Sequence, residues 1–512
     1  MSELTALQAL QRGIAAHKQG NTLIAEKYYR AILKSRPNHP NNLQDRDVLA
    51  EAYTNLGVAL QQRGEVDAAI DNYQQAVKLK PDYTQVYYTM GLALRNKGAL
   101  KASIDCYQQA VNNTPNDVDS LNNLGAALQH SGEIDSAIDC YEQALKIDPA
   151  CSEVYNNMGV ALQVKGDLAA AIGSFTQALK IKPNYVNAHN NMGHALHDRG
   201  DLQAAIDCYN NALKLAPESA ETLNNLGNAL RKRGDYEEAI KHFDSITTTE
   251  SNPSNAQFWF NSKAQALECL YISGRYDELE ERIKALAESG DINLRIAAVS
   301  AFISHQLKIA DPYPFCKKPL DFLHIGNLND HVSEVDGFIE ALIVEAKREN
   351  QVWEPIHGVT KGGYQTPNTI FTAGENCAAL EKLLRTEIDS YYAKFQTEDC
   401  AYIKSWPDKY DLRGWFARLT KDGHQTPHNH PSGWLSGVVY LKTIDSPDTD
   451  DGAIELGLHG HNLTILDEGF SRKTHRPKKG DIVLFPSSLF HHTIPFRADT
   501  DRCVIAFDLY RY

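Results

Sequence analysis

A helical repeat array followed by a strand-rich domain is the architecture this sequence predicts, and three observations predict it. Glycines recur every 34 residues through the first half, at Gly57, Gly91, Gly125, Gly159, Gly193 and Gly227. Near Pro312-Tyr313-Pro314 that period gives way to short apolar runs separated by turns. Past residue 420 two short histidine clusters stand out, His428-Asn429-His430 and His491-His492, with Arg502 behind the second.

Composition bounds the function. With 512 residues, 42% hydrophobic and 23% charged, the chain has room for several domains. A formal net charge of −14 argues against a general nucleic-acid binder, because phosphate binding needs an excess of Lys and Arg on one surface. No apolar run reaches the roughly 18 residues of a membrane span, so no membrane partner is expected. The start, MSELTALQALQRG, lacks the basic-then-apolar pattern of a secretory signal. The nine cysteines are scattered; Cys106, Cys140 and Cys208 share one repeated position and read as small packing residues in a reducing compartment. A cytoplasmic location is the simplest expectation.

The repeats have internal punctuation. Each first glycine is followed seven residues later by a second, from Gly64 to Gly234, and Pro81, Pro115, Pro149, Pro183 and Pro217 keep the same step. Small and aromatic residues hold fixed places between them, such as Ala69, Tyr73 and Ala76. This unit resembles the tetratricopeptide repeat, a helix–turn–helix hairpin. The first glycine admits a close helix approach, the second relieves the turn, and proline ends the second helix. No hairpin buries its apolar face alone, so neighbours are expected to stack into a solenoid with a concave groove. The expected division is a degenerate repeat and insertion over 1–49, with Gly20, Ala25, Tyr29 and Pro37 as its remnants. Six repeats over 50–253 follow, then capping helices and a linker over 254–319, and a second domain over 320–512.

Asn55, Asn123, Asn157, Asn191 and Asn225 recur two residues before the first glycines; Thr89 breaks the series. This row resembles the asparagine ladder of protein O-GlcNAc transferase, whose amides grip an extended polypeptide, and the resemblance implies a peptide or protein partner in the groove. An amide donates and accepts together, which suits sequence-tolerant peptide binding. The competing reading is that these amides only join one repeat to the next.

In the second domain Leu320–Ile325 reads as a strand, and Val332–Arg348 and Glu375–Phe395 as helices. Ala401–Trp406, Trp415–Thr420, Leu435–Lys442, Ala453–Leu458, Asp481–Phe485 and Val504–Leu509 read as strands. Helices followed by some eight short strands fit a double-stranded β-helix of the jelly-roll or cupin kind. Trp415, Trp434 and Phe485 are expected in its core, Gly362–Thr366 as a flexible loop over the site mouth, and Asp445–Asp451 as a solvated turn.

The runs HNHPSGWLSGVVYL, GAIEL, GDIVLFPSSLFHHTIPF and DRCVIAFDL resemble a bacterial family of iron(II)- and 2-oxoglutarate-dependent oxygenases of the prolyl-hydroxylase-like group. The likeness covers roughly residues 320–512. It implies that His428 and His491 bind Fe(2+), and that Arg502 grips the distal carboxylate of 2-oxoglutarate, with O2 as the other cosubstrate. The residues suit that chemistry: two or three ligands on one face of a metal leave positions open, and arginine holds a carboxylate through two parallel hydrogen bonds. Tyr440 faces either lumen or exterior; inward, its hydroxyl is a second handle on the cosubstrate. His430 stands where the wider superfamily has Asp or Glu. Either it completes the triad, or water does, as in the aspartyl/asparaginyl β-hydroxylases. The family pattern favours His491 over His492, whose side chain then points to the opposite side of the strand. His424 is expected to face substrate.

The leading expectation is therefore a dioxygenase that hydroxylates a protein or peptide side chain recruited by the repeats. A small-molecule oxygenase using its repeats for assembly and a non-catalytic interaction scaffold are the alternatives.

Overall fold

The computed structural model describes residues 5–35, 43–246, 256–290, 292–313, 315–316, 318–354, 359–445, 449–460 and 463–511. Pro37, Pro253, Pro314 and residues 446–448 of the acidic turn lie outside them. The chain divides into two compact units, Met1–Leu215 and Ala216–Tyr512.

The first unit is a succession of helical hairpins. Ala6–Lys18 pairs with Thr22–Ser35, Leu43–Gln62 with Val66–Leu79, and Thr84–Asn96 with Leu100–Asn113. Val118–His130 with Ile134–Ile147, Ser152–Lys165 with Leu168–Ile181, and Val186–Arg199 with Leu202–Leu215 continue the series. The repeated glycines explain the pairing. A Cβ on Gly91 would stand 2.7 Å from the Tyr107 ring, so the aromatic side chain of the second helix lies directly on the backbone of the first. Gly98, at φ +83°, makes the turn between those helices in the left-handed region that favours glycine. Tyr107 and Ala110 are fully buried, as are Ala69, Tyr73 and Ala76 one repeat earlier. The N-terminal hairpin keeps the same wedge, Gly13 against Tyr29, a glycine that the sequence reading passed over.

The second unit opens with helices Ala220–Arg233 and Tyr236–Asp244, which carry a further glycine wedge, Gly227 against Phe243. Helices Ala256–Ile272, Tyr276–Glu288 and Leu294–Leu307 follow. Beyond them, among the described residues, lie ten strands: β1 (His324–Asn327), β2 (Val352–Trp353), β3 (Thr360–Gln365), β4 (Tyr410–Gln425), β5 (Leu435–Lys442), β6 (Ile454–Gly457), β7 (Arg472–His475), β8 (Asp481–Pro486), β9 (Phe490–Thr493) and β10 (Arg502–Arg511). A seven-stranded sheet runs β1-β8-β5-β10-β4-β3-β2 and a three-stranded sheet runs β7-β6-β9. All pairings between named strands are antiparallel. Side chains from both sheets share one core, with Val438, Tyr440, Val483, Phe485 and Val504 from the larger and Ile454 and Leu456 from the smaller. This is the jelly-roll arrangement expected of the second domain.

Four local expectations are not met. Leu320–Ile325 is not one strand: Pro319–Phe322 forms a 3-10 turn that buries Leu320 and Phe322, and the strand begins only at His324. Ala401–Lys404 is a short helix, not a strand, because Tyr402 and Trp406 fold into an aromatic cluster with Tyr391 and Trp434. Gly362–Thr366 is not a free loop. Its first four residues belong to β3, where Gly362 at φ +59° makes a bulge against the backbone of Gly423. Trp434 and Phe485 are buried as expected, whereas Trp415 is only half-buried. Among the described residues no helix is long and apolar enough to cross a membrane.

Candidate metal centre

Between β4 and β5 the chain runs beside β9, and reciprocal backbone bonds fix it there. His428 N donates to His491 O at 3.1 Å, and His491 N returns a bond to His428 O at 2.9 Å. His430 N donates to Ser487 O at 3.1 Å. The pairing brings three imidazoles together, with ring centroids 4.2 Å apart for His428 and His491 and 5.0 Å for His430 and either neighbour. One ligand atom from each lies within 4.8 Å of the others, the only such group among the described residues.

Every ring has its Nδ1 beside an acceptor. His428 Nδ1 lies 2.7 Å from Thr426 O, His430 Nδ1 lies 2.6 Å from Asp508 Oδ1, and His491 Nδ1 faces Leu489 O at 3.4 Å. A neutral imidazole that donates from Nδ1 presents a lone pair on Nε2, so the three rings share one tautomer suited to ligation. Burial, helped by the neighbouring His430, lowers the His428 pKa to about 4. Burial and the His428 ring hold His491 well below the usual imidazole range. His492 sits outside the trio, half-buried and 4.0 Å from Glu455, as strand alternation requires. His424 lies on β4, its Nδ1 3.2 Å from Asp422 O, and does not join the cluster.

Arg502 and Tyr440 are buried together. The guanidinium lies 5.0 Å from the Tyr440 ring centroid, and Arg502 Nε donates to Gly452 O at 3.1 Å. Arg502 Nη1 has no well-aligned hydrogen-bond partner, and the Tyr440 hydroxyl has only the neighbouring guanidinium beside it. Burial lowers the arginine pKa and pushes the phenol up to about 12. A buried cation without a carboxylate is costly, and an anionic ligand would satisfy both groups. Both residues therefore suit a 2-oxoglutarate carboxylate, as the imidazoles suit Fe(2+). A cavity of about 330 Å³ opens beside His430, lined also by Gln365, Asn368, Trp415, Asp508 and Tyr510.

The sequence profile described as "Putative 2OG-Fe(II) oxygenase" matches residues 413–508, a span that contains all three imidazoles, Tyr440 and Arg502. Tetratricopeptide profiles match residues 59–98, 91–132, 118–151, 164–198 and 184–247. The chain joins tetratricopeptide repeats to a C-terminal domain that matches the 2OG-Fe(II) oxygenase profile. No curated protein matches it. Similar solved structures include a tetratricopeptide repeat protein from Parabacteroides merdae, at 12% identity over 50% of this chain and 98% of that one, with a TM-score of 0.42. MamA from Desulfovibrio magneticus is 20% identical over 35% of this chain and 99% of its own, with a TM-score of 0.32. YrrB, described as a repeat protein with an unusual peptide-binding site, is 19% identical over 38% and 95% of the two chains, with a TM-score of 0.32.

The asparagines of the repeats bond to their own scaffold. Asn157 Nδ2 donates to Asn122 Oδ1 and Asn191 Nδ2 to Asn156 Oδ1, each at 3.0 Å and one repeat back. Asn123 Nδ2 reaches Asp119 O at 2.9 Å and Tyr88 Oη at 3.4 Å, and Asn55 Nδ2 reaches Glu51 O at 2.8 Å. The acceptors Asn122 and Asn156 belong to a doubled Asn-Asn that the single-position reading overlooked. All five predicted side chains, Asn225 included, are half-buried.

Proposed function

We propose that the chain is an iron(II)- and 2-oxoglutarate-dependent dioxygenase that hydroxylates a protein or peptide side chain recruited by its repeats. The observation carrying this reading is the convergence of three imidazoles, each with Nδ1 engaged, in one domain with a buried arginine that has no carboxylate partner. His428, His430 and His491 would hold the metal through Nε2, and Arg502 with Tyr440 would hold the distal carboxylate of the cosubstrate. Bound iron and 2-oxoglutarate supply oxygen activation coupled to oxidative decarboxylation. The chain's own residues do the positioning. The His428–His491 backbone pairing sets the spacing from which two rings project, and the Asp508 contact orients a third. Buried apolar side chains around Tyr440 keep water from the arginine, which strengthens its pairing with an anion. Beside His430, the neutral amides of Gln365 and Asn368 and the indole of Trp415 line the route by which a substrate would approach.

Recruitment by the repeats rests on the asparagines. An amide nitrogen carries two hydrogens, so the single inter-repeat bonds of Asn157 and Asn191 leave one for a peptide carbonyl. Purified protein given iron(II), 2-oxoglutarate and oxygen should release succinate and carbon dioxide, and His428→Ala or His491→Ala should abolish both release and iron binding. Wild-type iron affinity in those variants would refute the ligand assignment. Peptide capture unchanged by Asn123→Ala, Asn157→Ala and Asn191→Ala together would remove recruitment through the ladder.

A further inference from the structure

Asp508 lies on β10 at the same strand face as Arg502, Val504 and Ala506, and it is 3% exposed. A carboxylate so buried needs partners, and this one has them. Its Oδ1 accepts from His430 Nδ1 at 2.6 Å and from Ser436 Oγ at 2.7 Å. The Tyr510 hydroxyl reaches Oδ2 at a long 3.4 Å. Ser436, 1% exposed, is held in turn by Ser487 Oγ at 2.8 Å, and Ser487 O is the acceptor for His430 N. His430 is thus gripped at backbone and at ring by one connected set of buried groups. His428 and His491 have only carbonyl oxygens at Nδ1.

We propose that Asp508 is a positioning residue of the metal centre. It fixes His430 with Nε2 towards the ion, and it supplies one hydrogen bond away the negative charge that an Asp or Glu ligand would carry. This rests on the metal-centre reading above. Three neutral imidazoles alone give an iron(II) site no anionic protein ligand. A carboxylate bonded to the far nitrogen of a ligating histidine raises that ligand's basicity and restores negative charge near the metal. The cluster therefore keeps a charge balance close to that of a two-histidine, one-carboxylate site, with the carboxylate moved outward.

Cobalt(II) titration of the full chain, read by visible absorption and by competition with a chelator, tests this. Asp508→Asn keeps the shape and removes the charge. It should weaken cobalt binding about 10- to 100-fold and shift the visible band, as expected for loss of a partner to a ligating histidine. Adding His430→Asp to that variant puts a carboxylate at the ligand position and should recover affinity to within about tenfold of wild type. Ser436→Ala removes one donor from Asp508 and should alter the cobalt spectrum with a smaller loss of affinity, which keeps the test open if the asparagine variant does not fold. Wild-type affinity and spectrum in both Asp508→Asn and Ser436→Ala, with binding lost in His428→Ala, would overturn the role of Asp508 and leave the metal centre standing. Wild-type affinity in His428→Ala and His491→Ala would overturn the metal centre itself.

Discussion

Replacing Arg502 by methionine separates two consequences of burying a cation. In the free protein the guanidinium leaves Nη1 unpaired, bonds Gly452 O through Nε, and lies 5.0 Å from the Tyr440 ring centroid. Removing the orphaned donor relieves a penalty of about 1–3 kcal/mol, and losing the Nε bond costs about 1.5–3 kcal/mol. Losing the ring contact costs about 2 kcal/mol, and relief from burying an uncompensated charge offsets several. The terms oppose one another, so the free variant should melt within about 2 kcal/mol of wild type. Ligand binding responds differently. Truncating one partner of a buried charge pair costs about 2–5 kcal/mol, which is about 30- to 5,000-fold in the 2-oxoglutarate Kd. At a concentration of about 100 times the wild-type Kd, ligand stabilises wild type by about 2.7 kcal/mol and the variant by less than about 1 kcal/mol. For a unit of this size, thermal melting with 2-oxoglutarate and redox-inert manganese(II) should show a wild-type shift of about 4 °C, cut to about 1.5 °C or less in the variant. An undiminished shift in Arg502→Met would refute the assignment of Arg502 to the carboxylate. Loss of more than about 4 kcal/mol without ligand would refute the picture of an unsatisfied buried charge.

Two further outcomes follow from the geometry. Gly91→Ala forces a methyl group into the Tyr107 ring and should destabilise the repeats by about 1–3 kcal/mol in urea melts. Gly173→Ala, in the helix Leu168–Ile181 with open space at its Cβ, should stabilise them by about 0.5–1 kcal/mol; equal effects would dismiss the wedge. The metal-free protein should lose stability in acid. His428 titrates at about 4 when folded and near 6.5 when unfolded, so the unfolded chain takes up its proton first. The contribution, about 3 kcal/mol for this residue, is present above pH 6.5 and lost as pH falls towards 4. Flat stability across that window in metal-free urea melts would contradict the burial of this ring.

The parts of the molecule legible from sequence are those whose physics is local. A hairpin repeat encloses its own wedge and turn, so Gly57 and Gly64 announce it without knowledge of any neighbour. Leu435–Lys442 is seven-eighths buried, and its apolar run marks a strand at once. The strands β2, β7 and β9 are short, and β7, Arg-Lys-Thr-His, lies exposed or half-exposed on the smaller sheet with no apolar alternation to betray it. Ala401–Trp406 alternates like a strand, but its aromatics answer to partners on distant segments. The site divides the same way. His428, His430 and His491 carry their chemistry in their residue type. Asp508 is visible only after β10 is laid beside β5, because its meaning lies in contacts with residues more than seventy positions away.

The antiparallel bridge between His428 and His491 bears on how an ion would bind. Both residues are tied by main-chain bonds on either side of one pair, so the separation of their Cβ atoms belongs to the backbone, and the Nδ1 contacts with Thr426 O and Leu489 O orient the rings from there. An ion arriving there closes no loop and orders no segment; that entropy is lost when the domain folds. Chelation should therefore empty the centre without unravelling the jelly roll, and metals would be discriminated by fit to a spacing set in advance. In this respect the domain is the reverse of a zinc finger, which needs its metal in order to have a shape at all.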